Sequence, residues 1–145
     1  MADIALGGGD RERIQISLSA RTRPSDTDYW DGNWLNADVT AHVGGFRARV
    51  SGNVRSEEFV AFRKQIVSLD QSLRGEASFA TMENWLTLRL RGDGRGHIEV
   101  ELGILDRPGI GNRLTGRLDL DQSCLSPLLR QLDRVIEEFP VRGLA

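Results

Sequence analysis

The chain has 145 residues, 39% of them hydrophobic and 28% charged, with a net charge of −2. That length suits one domain with its own core, and the near-neutral balance excludes the broadly basic surface that nucleic acid or an anionic membrane rewards. Cys124 is the only cysteine, which excludes an internal disulfide and fits a reducing compartment.

In chain order, residues 1–11 read as a flexible lead, because Gly7-Gly8-Gly9 has little to pack and much entropy to lose. Residues 12–145 read as a single domain. Met1 to Arg13 holds Asp3, Asp10 and Glu12 and no apolar stretch of signal-peptide length, so the expected location is the cytoplasm. Ile14, Ile16 and Leu18 alternate with polar residues and predict a strand. A polar loop follows, from Arg21 to Gly32, with Tyr29 and Trp30 inside it. Leu35, Ala37, Val39 and Ala41 predict a second strand, Gly44-Gly45 a hairpin turn, and Phe46, Ala48 and Val50 the apolar face of a third.

The period then changes. Ser56 is placed to cap a helix, with Glu57 and Glu58 at its positive end. Phe59, Phe62, Ile66, Leu69 and Leu73 form one apolar stripe, and Gly75 is the expected stop. Strand patterns return around Ala77 and Phe79, over Leu86–Leu90, over Ile98–Ile104, and over Leu114–Leu120. In the hairpin closed by Gly92–Gly96, pairing Arg91 with His97 sets Arg89 against Glu99. Pairing Ile104 with Leu114 sets Glu101 against Arg117. Arg89 and Glu101 are expected on one outward face. The last helix carries Leu128, Leu129, Leu132, Val135, Ile136 and Phe139 on its apolar side, begins near Ser123 or Ser126, and ends at Pro140. Asp121 is placed to cap its start. The expected fold class is α+β: an antiparallel twisted sheet of about six or seven strands in the order βββ-α-ββββ-α, with two helices packed on one face.

The residues do not compose a catalytic constellation. His42 and His97 fall on polar faces without a close sequence partner, and Cys124 lies beside the apolar start of a helix, where a structural thiol is expected. The glycines at 92–96 run into a strand, whereas a phosphate loop needs a helix N-terminus. No cofactor and no metal are expected. The segment Tyr29-Trp30-Asp31-Gly32-Asn33-Trp34 differs in kind, since aromatic side chains of this type dominate the energetic centres of protein interfaces. Tyr29, Trp30, Asp31 and Trp34 are therefore the candidate partner-binding residues, joined by Trp85 and Arg89 on a polar strand face.

Trp30-Asp31-Gly32-Asn33-Trp34-Leu35, Phe46, the helix with Phe59 and Phe62, Gly75-Glu76-Ala77, Gly96-His97-Ile98 and Asp121-Gln122-Ser123 with Leu125 occur in an order that resembles WapI-type immunity proteins of bacterial polymorphic toxin systems. The resemblance spans residues 30–143. It implies a cytoplasmic, non-catalytic protein that binds and blocks a cognate toxin domain. The alternative is a small-molecule-binding or accessory domain of a larger complex, which a polar-lined cavity between sheet and helices would favour.

Overall fold

The computed structural model describes residues 1–145. Eight strands and two helices follow one another: β1 (Ala2–Gly8), β2 (Glu12–Arg21), β3 (Trp34–Val43), β4 (Phe46–Arg55), α1 (Ser56–Ser72), β5 (Arg74–Ala80), β6 (Leu86–Asp93), β7 (His97–Leu105), β8 (Arg113–Asp121) and α2 (Leu125–Glu138). The α+β class holds. The strands number eight rather than six or seven, and they form two antiparallel four-stranded meanders, β1-β2-β3-β4 and β5-β6-β7-β8. Four strands and a helix thus occur twice in succession.

Residues 2–8, expected to be a flexible lead, form the edge strand of the first sheet. Ala2, Ile4 and Leu6 are buried and pair with Leu18, Ile16 and Ile14. The glycines end the strand instead of forming a tether: Gly7 and Gly8 pair with Arg13 and Glu12 and Gly9 opens the turn, with Gly7 and Gly9 at positive φ of 74° and 79°.

Side-chain alternation gives each sheet one apolar face. Ile4, Ile16, Val39 and Val50 lie side by side across the first sheet, and Ala77, Leu90, Val100 and Leu118 across the second. These faces and the helices meet in one continuous core. Fully burying a side chain such as Phe59, Phe62, Ile66 or Leu69 of α1 stabilises the fold by about 1.5–3 kcal/mol relative to exposure.

Each helix covers the far half of the molecule. Helix α1 packs on β5, α2 packs on β1, and the two helices pack on each other. Glutamines complete the seal. Gln65 of α1 donates to the Ser78 carbonyl at 3.2 Å and accepts from its N–H at 2.8 Å, occupying the outer edge of β5. Gln131 of α2 accepts the Ala5 N–H of β1 at 2.8 Å.

Several local expectations shift. Arg55, not Ser56, is the N-cap of α1, and Ser56 is buried in the first turn. Leu73 itself takes the left-handed C-cap conformation (φ 58°), so Gly75 lies inside β5. The β6–β7 hairpin is two residues tighter than expected: Asp93 accepts the N–H groups of Arg95 at 2.7 Å and His97 at 3.1 Å. Arg89 therefore opposes Glu101, and Arg91 opposes Glu99. A shift of two keeps every residue on its face, and Arg89 and Glu101 do share the outward one, joined as an ion pair. The pairing of Ile104 with Leu114 and of Glu101 with Arg117 is as expected. Asp121 caps the 3-10 turn at Gln122–Cys124 that runs into α2, accepting the Ser123 N–H at 2.8 Å.

Candidate functional site

The loop between β2 and β3 is short of apolar residues, so hydrogen bonds have to order it. Asp28 starts the turn: its carboxylate accepts the Asp31 N–H and its carbonyl the Gly32 N–H, both at 3.0 Å. Buried Asn33 then ties the loop to the C-terminal tail. Its Nδ2 donates to the Tyr29 carbonyl at 2.9 Å and the Arg142 carbonyl at 3.0 Å, while its Oδ1 accepts the Arg142 N–H at 2.8 Å. Arg21 does the same from below, donating to the Gly32 carbonyl at 2.6 Å and the Pro140 carbonyl at 2.5 Å. Its guanidinium lies 6.0 Å from the Phe139 ring centre, and burial pushes the pKa of this arginine down from its ordinary value. Arg142 closes the other side through the carbonyls of Pro24 and Asp26, each at 2.8 Å.

On this frame Trp30 stands out at 66% exposure. Tyr29 is half-buried and meets the Trp30 ring edge-on at 5.1 Å between centres. The Glu57 carboxylate beside the Tyr29 phenol pushes its pKa up. Trp34 is half-buried, donates from Nε1 to the Trp30 carbonyl at 3.2 Å, and carries the Arg55 guanidinium 5.7 Å from its ring centre. Asp31 is exposed and pairs with Arg23 at 3.1 Å.

Trp85 and Arg89 do not extend this surface. Trp85 is only 4% exposed, because Glu83 and Asn84 before it take left-handed conformations (φ 62° and 53°) that break the strand alternation and turn the indole inward. It lies against Gly52 of β4, and its Nε1 donates to the Asn53 carbonyl at 3.0 Å. A buried indole does not serve as an exposed anchor. Its visible edge and Trp34 line one groove of about 370 Å³ with Val50, Met82 and Leu105. Arg89 lines a separate groove of the second sheet, paired with Glu101. The structure also exposes Phe46 to 68% and Met82 to 47%. Phe46 was expected to be core. Its parity is inward, but nothing packs over this end of β4.

Two groups of potential ligand atoms lie within 4.8 Å of one another: His97, Glu99 and Asp119, and Asp26, Asp28 and Asp31. Members of both have protein partners, including His97 with Asp119 at 3.7 Å, Glu99 with Arg117 at 3.9 Å, and Asp31 with Arg23. The Cys124 thiol is pushed up to about 11 by burial, with the Asp121 charge adding to it. It stays protonated at neutral pH and is a poor nucleophile. No helix is long and apolar enough to cross a membrane.

The family model described as "Immunity protein WapI-like family" matches residues 5–140, the greater part of both sheets and both helices. No curated protein matches the chain. The chain belongs to the WapI-like immunity protein family.

Proposed function

We propose that this member of the family acts in the cytoplasm as a non-catalytic immunity protein, binding a cognate toxin domain and covering its active site. The observation that carries the reading is Trp30, a large aromatic left exposed on a loop that Arg21, Asn33 and Arg142 hold rigid. An exposed indole on a mobile loop loses affinity to ordering. On a fixed loop that loss is small, and aromatic anchors of this kind carry most of an interface's energy.

The test needs a candidate toxin domain, to be sought at the C-terminus of any large secreted protein encoded beside this chain. Wild-type chain is expected to bind it and to protect cells that express it. Trp30→Ala is expected to weaken binding by about 2 kcal/mol, some thirtyfold, in the range of an interface hot spot. Its own unfolding should move by less than about 0.5 kcal/mol, as for an exposed position. A chain that neither binds nor protects would overturn the reading, and an unaffected Trp30→Ala would remove the loop from the interface.

A further inference from the structure

Side chains from within the protein meet the outer sheet edges at single points. Gln131 meets β1, Gln65 meets β5, and the Asp119 N–H of β8 lies 3.5 Å from the Glu12 carboxylate. The outer edge of β4 is met only at its C-terminal end. The Ser56 N–H bonds to Asn33 in line with the β3–β4 ladder, so alternation turns the backbone groups of Arg47, Arg49, Ser51, Asn53 and Arg55 away from β3. Two of these five are occupied: Trp85 covers the Asn53 carbonyl, and Glu58 accepts the Arg55 N–H at 2.7 Å. Arg47, Arg49 and Ser51 have no partner on that side.

The charge around this edge is also unmatched. Arg11, Arg13, Arg47 and Arg49 are exposed, and none has a carboxylate within ion-pair distance. Arg13, His42 and Arg47 even lie directly opposite one another across three strands. Arg13 bonds to the Gln15 side chain at 2.6 Å and Arg47 meets the His42 ring at 3.5 Å, so both charges are left without an acidic counterpart. Beside the edge, on the inward side, Phe46 is exposed and Val50 is half-buried.

The geometry points to β4 as a strand-addition site for an extended, acidic segment of the protein partner, with carboxylates over Arg47 and Arg49 and apolar residues beside Phe46 and Val50. The inference rests on the reading that the chain works by binding a protein. Backbone pairing supplies affinity in this mode, and alternate side chains supply selection. A second copy of the chain fits poorly, because two antiparallel β4 edges centred on Arg49 set that arginine against itself. A nucleic acid satisfies the arginines and leaves the open amides and Phe46 without partners.

The probes are a short capped peptide of alternating valine and glutamate, its valine–lysine counterpart, and a single-stranded oligonucleotide. Amide hydrogen exchange is read residue by residue. The valine–glutamate peptide is expected to slow exchange at Arg47, Arg49 and Ser51 by about tenfold or more, since pairing protects an amide that was open to solvent. The lysine peptide should leave them unchanged, and Arg47→Glu with Arg49→Glu should invert that preference. The inference is overturned if none of the three amides slows, if both peptides act alike, if the amides are already protected in a concentration-dependent way by the chain itself, or if only the oligonucleotide binds. The toxin-domain titration runs separately with the same charge-reversed chain. Failure of wild type there sinks the immunity reading, while the peptide experiment still decides the edge.

Discussion

A methyl group on Gly52 would sit 2.6 Å from Cζ2 of the Trp85 indole and 2.7 Å from Cε2. Gly52 has no positive φ, so alanine is conformationally allowed there, and the loss of chain entropy in the unfolded state would by itself favour the variant by about 0.4–1 kcal/mol. The clash opposes this. The indole is buried and held by its bond to Asn53, so it does not swing aside. Overpacking of a closed site costs about 1–3 kcal/mol, and the net expectation for Gly52→Ala is destabilisation of about 1–2 kcal/mol in urea unfolding. Trp85→Phe removes the clashing ring. In the double variant the two losses should fall short of their sum by about 1 kcal/mol, as for residues in contact. Strict additivity would mean that the two do not touch. The close approach was open to sequence reasoning in one respect, since a glycine at an inward position of an otherwise regular strand marks a place where something comes near. The identity of the neighbour was not open to it, because Trp85 lies 33 positions away in a turn whose two left-handed residues no alternation rule anticipates.

Among the elements, β2, β3, α1 and α2 were legible because long runs of each keep one period, as at Ile14–Leu18 of β2 before its register shift and at Phe59–Leu69 of α1. β1 was hidden by the glycines at its end, although Ala2, Ile4 and Leu6 alternate like any strand. The β6–β7 register slipped by two because a side-chain bond, not loop length, sets that turn. Of the candidate site, the Tyr29–Trp34 loop was legible as composition, and its fixing was not, since Arg21 and Asn33 tie it to Pro140 and Arg142 of a tail remote in sequence. Turns held by carboxylates have a consequence in acid. N–H or hydroxyl donors lower the pKa of Asp93 (the Arg95 N–H first), Asp106 (the Asn112 side chain first) and Asp121 (the Ser123 hydroxyl first), and Arg89 lowers that of Glu101. Groups with depressed folded pKa values contribute stability that is complete once pH lies above the unfolded values, by about pH 5, and is lost as pH falls through the folded values. Glu58 opposes them: burial raises its pKa, so its protonation in acid favours the folded state. With four groups against one, the chain should lose stability between about pH 5 and pH 2. The triple variant Asp93→Asn, Asp106→Asn and Asp121→Asn should have a lower urea midpoint than wild type at neutral pH and a nearly equal one near pH 2. A gap that stays constant with pH would assign the turns to shape alone.

At the scale of the whole molecule, the two four-strand-and-helix halves exchange their helices and share one continuous core. Helix α1 belongs to the first half by connection and to the second by packing, and α2 the reverse. Each half on its own would present an apolar sheet face, exemplified by the row Ile4, Ile16, Val39 and Val50, with neither the opposing sheet nor the exchanged helix to cover it. It would also open the edge amide of Ala5 or of Ser78, whose glutamine partners sit in the other half. A fragment of residues 1–72 is therefore expected to lack cooperative unfolding, and so is 73–145. Burial in a chain of about 70 residues is marginal even when the core is complete, and here it is shared between the pieces. Mixed in equal amounts, the fragments should recover the circular dichroism and the single unfolding transition of the intact chain, with a midpoint that rises with concentration, since association then stabilises the fold by mass action. A 1–72 fragment that unfolds cooperatively by itself would show that the exchanged helices are an accessory to two independent domains. The same reciprocity bears on the open edge of β4. Helices meet the first strand of each half, whereas β4 carries neither exchanged helix on its open stretch, so a strand added there extends the sheet system without disturbing the mutual support of the halves.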